Sequence, residues 1–84
     1  FPELTGDRRK ALCRQVGERG EHAKVVVRGV RRDYNDLFKA SQKEGELGED
    51  ELKRFLERVQ ERTDACCKLI DEVVKAKETE ILEV

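Results

Sequence analysis

Apolar residues recur at steps of three and four along two separate stretches of this chain, a rhythm that predicts two long helices. In the first stretch Leu12, Val16, Ala23, Val27, Val30, Tyr34, Leu37 and Ser41 advance in this way, with Gly20 filling the gap, up to about Lys43. Thr5 is a good N-cap ahead of it and Asp7 suits the positive end of a first turn, so the first helix is expected over 6–43. In the second stretch Leu52, Leu56, Val59, Thr63, Cys66, Ile70, Val73 and, after an interruption at Lys77, Ile81 and Val84 alternate steps of four and three. That spacing is a heptad seam on a helix over 49–84. Between them, 44–48 is the one convincing break: Gly48 can cap, Glu49 and Asp50 open the next turn, and Leu47 and Leu52 stand at the two positions of a hydrophobic staple.

A break this short makes the helices antiparallel. Each would run for about 50 Å, and a pair of that shape shares one seam without a closed core. Leu69, Val74 and Leu82 fall off the strict seam of the second helix, while Val26 and Phe38 broaden that of the first, so the apolar faces are wide enough for a third helix. The expected fold class is all-α: a long antiparallel helical hairpin, part of a three-helix bundle whose remaining helix comes from a longer protein or a second copy. Gly17, Gly20 and Gly29 each weaken the first helix by about 1 kcal/mol relative to Ala. One of them can mark a close backbone approach, without the sequence saying which.

Charge sharpens this picture. With 84 residues and 44% charged side chains, the chain forms one lean domain at most, and its formal net charge of −1 hides a division. Residues 5–43 hold 11 Lys and Arg against five Asp and Glu, while residues 44–84 hold seven against 13. On a helical wheel Lys24, Arg28, Arg31, Asn35 and Lys39 cluster on one side of the first helix, opposite Ala23, Val27, Val30, Tyr34 and Leu37, with Asp33 and Asp36 on a flank. Such a basic stripe is suited to a phosphate backbone. Arg28 and Arg31 are the strongest candidates and Arg32 stands behind them, although Arg32 can instead pair with Asp36 one turn on. Lys24 and Lys39 fit solvated charges more readily than specific contacts.

Other chemistry is thin. Cys13, Cys66 and Cys67 are odd in number and two are adjacent, which suits buried or half-buried thiols in a reducing compartment rather than a disulfide framework. With a lone His22 they lack the spacing that puts two ligands on one metal ion. No phosphate-binding Gly loop and no convergent nucleophile and base are present, so neither cofactor nor enzymatic activity is expected. No apolar run reaches the roughly 20 residues of a membrane span, and the start reads as neither signal nor transit peptide.

The segment Val25-Val26-Val27-Arg28-Gly29-Val30-Arg31-Arg32-Asp33-Tyr34-Asn35-Asp36 resembles the VAxRNxRRDAND stretch of ribosome recycling factors. Four further blocks follow that family in order: Leu4-Thr5-Gly6-Asp7-Arg8-Arg9-Lys10, Glu49-Asp50-Glu51-Leu52-Lys53, Val59-Gln60 with Thr63-Asp64, and Lys77-Glu78 through Glu83-Val84. Departures are Gly29 for Asn, Tyr34 for Ala, Gly48 for the Ser cap, and the Cys66-Cys67 pair. The resemblance implies the second and third helices of a three-helix-bundle domain, with 1–5 as return linker and cap, 6–43 the basic helix, 44–48 the turn and 49–84 the acidic helix; the family's first helix and inserted β domain are absent. It also implies a non-enzymatic role in ribosome recycling after termination, with large-subunit ribosomal RNA and elongation factor G as partners. Arg28, Arg31, Arg32, Lys24 and Lys39 would be the RNA-binding residues, and the setting bacterial cytoplasm or an organellar matrix or stroma. The competing expectation is a generic coiled-coil module that dimerises through its heptad seams.

Overall fold

The computed structural model describes residues 5–83, so the return linker at Phe1-Pro2 and the seam position given to Val84 lie outside the described residues. Within them the chain is α1 (Gly6–Lys43) followed by α2 (Glu49–Glu83). Thr5 caps α1 in an extended conformation, its Oγ1 accepting from the Arg8 N–H at 3.2 Å. The helix ends in a Schellman turn, in which Gly45 at φ +80° donates to the Gln42 carbonyl and Glu46 donates to that of Ser41. Opening α2, Glu51 Oε1 accepts from the Gly48 N–H, which is half of a capping box. Leu47 and Leu52 are both half-buried, as a staple requires.

The hairpin measures 63 × 16 × 15 Å, with a radius of gyration of 19.0 Å against about 12 Å for a compact chain of this length. Nothing but one helix packs on each helix. As a result no hydrophobic side chain among the described residues is fully buried, and the only buried positions are Gly20 and Thr63. Thr63 satisfies its hydroxyl on its own helix, donating to the Val59 carbonyl at 2.8 Å.

Burial along both helices corrects the expected seam. On α2 the half-buried or buried series is Leu52, Leu56, Val59, Thr63, Cys67, Ile70, Val74, Glu78 and Ile81. Cys66 and Val73, expected inside, face outward, and Val73 is 60% exposed. On α1 the eleven-residue series is Arg9, Cys13, Val16, Gly20, Lys24, Val27, Arg31, Asn35, Phe38 and Gln42, while Leu12, Gly17, Ala23, Gly29 and Ser41 are half-buried as well, so Leu12, Ala23 and Ser41 stay on the inner face expected of them. Both series return every eleven residues, as 52, 63, 74 and as 13, 24, 35. Eleven residues in three turns stay close to the natural 3.6 of a straight helix, whereas a heptad drifts by about 20° per repeat. Over the three heptads from Leu52 to Val73 that drift amounts to about 60°, which swings Val73 out and brings Val74 in.

Candidate functional site

The eleven-residue rhythm divides each helix into three surfaces. Residues directly before a seam position share one side of the hairpin, and those directly after share the other. Val26, Val30, Tyr34 and Leu37 precede seam residues on α1, as do Phe55, Cys66, Leu69 and Val73 on α2, so they share one side; Val26, Val30, Tyr34, Phe55 and Cys66 line an open apolar groove there, and Val73 lines its continuation toward the open end. The apolar front expected of the first helix is therefore mostly outward: Val30, Tyr34 and Leu37 are 49–58% exposed. Tyr34, Phe38 and Phe55 stack in sequence near the turn, with ring centroids 6.0 and 5.3 Å apart.

The opposite side is polar. Arg28, Arg32 and Lys39 directly follow Val27, Arg31 and Phe38, and all three are exposed. The alternative pairing of Arg32 with Asp36 does not form: among the described residues the ion pairs belong to Lys24 and Lys77 alone. Arg28, Arg32 and Lys39 thus keep their cationic heads free on one surface.

Lys24, Arg31 and Asn35 correct the expectation that the whole stripe lies on the back of α1, because all three enter the seam. The heads of Lys24 and Arg31 return toward the polar side. Lys24 Nζ lies 2.8 Å from both Asp71 Oδ1 and Glu21 Oε1, with its side chain only 12% exposed. Hydrogen bonding to Asp71, then to Glu21, raises its pKa above the ordinary 10.5, against a smaller opposing effect of burial, so the ammonium stays charged. Arg31 donates from Nη1 to Gln60 Oε1 at 3.2 Å. Gln60 in turn donates from Nε2 to Asp64 Oδ1 at 2.8 Å, which fixes the amide with its oxygen toward the guanidinium. Arg31 Nε and Asn35 Oδ1, one turn apart, are buried without a hydrogen-bond partner. Long basic side chains tolerate such positions because the apolar stem fills the seam while the charge reaches water.

The structure therefore gathers the heads of Lys24, Arg28, Arg31, Arg32 and Lys39 along the polar side, two of them leaning across from the seam. Sequence reasoning missed Gln60, Asp64 and Asp71 as their partners, and it missed Arg58 and Arg62, which precede seam residues and edge the groove beside Arg31. An eleven-residue count would have found both sets. Cys13 reaches only the Glu78 carbonyl, at 3.9 Å, and the three thiols are free. No group of three or more metal-ligating side chains occurs, and no helix is long and apolar enough to cross a membrane, among the described residues.

Comparison with known proteins gives one family. The model of the ribosome recycling factor family matches residues 1–82. Over all 84 residues the chain is 51% identical to the ribosome-recycling factor of Halalkalibacterium halodurans, 48% to that of Finegoldia magna and 46% to that of Myxococcus xanthus. In each case the match takes in the whole of this chain and 45% of the relative.

Proposed function

We propose, from the premise that this chain belongs to the ribosome recycling factor family, that it supplies two helices of a three-helix bundle that docks on large-subunit ribosomal RNA and helps to release the ribosome after termination. The factor is non-enzymatic in this reading, and elongation factor G with its GTP is the partner that provides the driving force, as the family resemblance implies. Residues 1–5 serve as linker and cap, 6–43 as the RNA-facing helix, 44–48 as the turn and 49–84 as the helix that braces it. The setting follows that of the ribosome, in cytoplasm, matrix or stroma.

One observation carries the RNA reading: Arg28 and Arg32 stand on the side opposite the apolar groove without an ion-pair partner among the described residues, and the Arg31 head lies beside them. Guanidinium forks on a convex helical surface match phosphate oxygens in bidentate fashion and need no base-reading groove. Lys24 is held by Asp71 and Glu21, so it adds field rather than a direct contact, and Lys39 extends the same surface toward the turn. The dimeric coiled-coil alternative has less support, since both seams are already occupied by each other and neither keeps a heptad over its length.

The test is binding of the whole factor to purified large subunits across a salt series. Arg28→Ala with Arg32→Ala should weaken binding and flatten the dependence of log affinity on log salt by roughly one to two units, the share of two phosphate contacts. Arg54→Ala, an exposed change on the outer face of α2 two residues from both Leu52 and Leu56, should leave both unchanged. Equal effects from Arg54 and the arginine pair would remove the polar side from the interface.

A further inference from the structure

The groove between the helices runs from Phe38 and Phe55 near the turn to Val16 and Lys77 toward the open end. Its larger part encloses about 550 Å³. Along α1 it covers residues 16–38, a length of about 33 Å, which is the reach of one helix of about 22 residues. Val26, Tyr34 and Val73, all more than half exposed, line its walls. A surface this apolar and this long is an unfilled helix seat.

Its edges say what fills it. Arg58 and Arg62 edge the part near the turn and Arg19 the part near the open end, and none has an ion-pair partner among the described residues. The acidic side chain on the groove wall toward the open end, Glu80, is already 3.5 Å from Lys77. Glu57 and Glu61 share a hollow with Arg58 on the outer side of α2 but do not line the groove, so the groove's own rim is positive although the chain as a whole has a net charge of −1. Two copies meeting groove to groove would set these arginines against one another, with like charges repelling across a surface that water is leaving. We propose that the groove is coded by charge for one amphipathic helix that carries an apolar stripe flanked by Asp or Glu, and that the same code keeps two copies of this chain from pairing. The proposal rests on the reading of the chain as two helices of a three-helix bundle, and is tested apart from the Arg28 and Arg32 surface on the other side.

The probes are two designed 22-residue helical peptides with the same Leu stripe, one flanked by Glu and one by Lys, titrated against the 84-residue chain by fluorescence anisotropy. Alkylation of Cys66, which lies in the groove, locates the binding in a Cys13→Ser and Cys67→Ala background. The Glu peptide should bind about ten-fold more tightly than the Lys peptide at low salt, should protect Cys66, and should lose its advantage in Arg58→Gln with Arg62→Gln. Arg58→Glu with Arg62→Glu should reverse the preference. Circular dichroism of each variant separates lost helix from lost preference. Equal affinity for the two peptides, binding to neither, or a groove-to-groove dimer in sedimentation that protects Cys66 would each overturn the charge code. None of these results alters the large-subunit salt series, so the two proposals fail separately.

Discussion

Three glycines in α1 should answer very differently to the same substitution. Each Gly→Ala change gains up to about 1 kcal/mol from helix propensity. A Cβ on Gly29 meets nothing within 4 Å, and one on Gly17 meets only Glu78 Oε1, at an ordinary 3.8 Å. On Gly20, however, the new carbon would lie 2.5 Å from Val74 Cγ2, with Ile70 Cγ2 at 3.7 Å. Carbon atoms rest at about 3.5–4.0 Å, so the overlap is about 1 Å or more. Val74 cannot readily turn aside, because a β-branched residue in a helix has one strongly favoured rotamer. The helices must part or a rotamer must strain, at about 1–3 kcal/mol. Gly29→Ala and Gly17→Ala should therefore stabilise by about 0.5–1 kcal/mol, and Gly20→Ala should destabilise by about 1 kcal/mol. Urea unfolding followed by far-UV circular dichroism resolves that gap. Adding Val74→Ala should relieve Gly20→Ala, with a coupling of about 1–2 kcal/mol in the double-mutant cycle. A Gly20→Ala protein as stable as Gly29→Ala, with no coupling to Val74, would refute the close approach of the helices at this point.

Gly45→Ala should cost about 1–2 kcal/mol in the same assay, since φ +80° is strained for any residue with a Cβ. Lys24→Met should destabilise the hairpin at neutral pH. Because the folded pKa of Lys24 is raised, its contribution is complete below the ordinary 10.5 and fades as pH rises through the higher folded value, so the parent and variant stability curves should converge only above about pH 10.5; convergence near pH 8 would show that the ammonium is not what matters. Arg31→Ala should weaken large-subunit binding by about 1–3 kcal/mol and also lower stability, because its stem occupies the seam and its Nη1 holds Gln60. Unchanged stability in Arg31→Ala would contradict that placement.

The helix ends were legible because they are local. Thr5, the 44–48 break and the Leu47–Leu52 staple act within four or five residues, and the sequence states them directly. The faces were legible only in part: Leu12, Val16, Ala23, Val27 and Ser41 on α1 and Leu52, Leu56, Val59, Thr63, Ile70 and Ile81 on α2 turn inward as expected, and the rest escaped for two reasons. A heptad and an eleven-residue repeat share their first members, Leu52, Leu56, Val59 and Thr63, and separate only at Cys66 against Cys67. Hydrophobicity also marks which residues leave water without marking which neighbour they meet. Val30, Tyr34 and Leu37 are apolar for the sake of the groove, while the seam accepts Lys24, Arg31 and Asn35. Assigning the apolar set to the seam pushed those three polar residues to the back, and one error produced the other.

Arg31 belongs to all three surfaces. Its stem lies in the seam and lines the groove, and its head reaches Gln60, which directly follows Val59 on the polar side. A helix seated in the groove would remove water from that stem and restrict its rotamers. Ordering an Arg side chain costs up to about 2 kcal/mol, a cost then met by bundle assembly rather than by RNA binding. Arg28 and Arg32, exposed on one surface only, gain no such preorganisation. A change in the groove should thus reach the proposed RNA surface through Arg31 and leave Arg28 and Arg32, which face the polar side alone, unaffected.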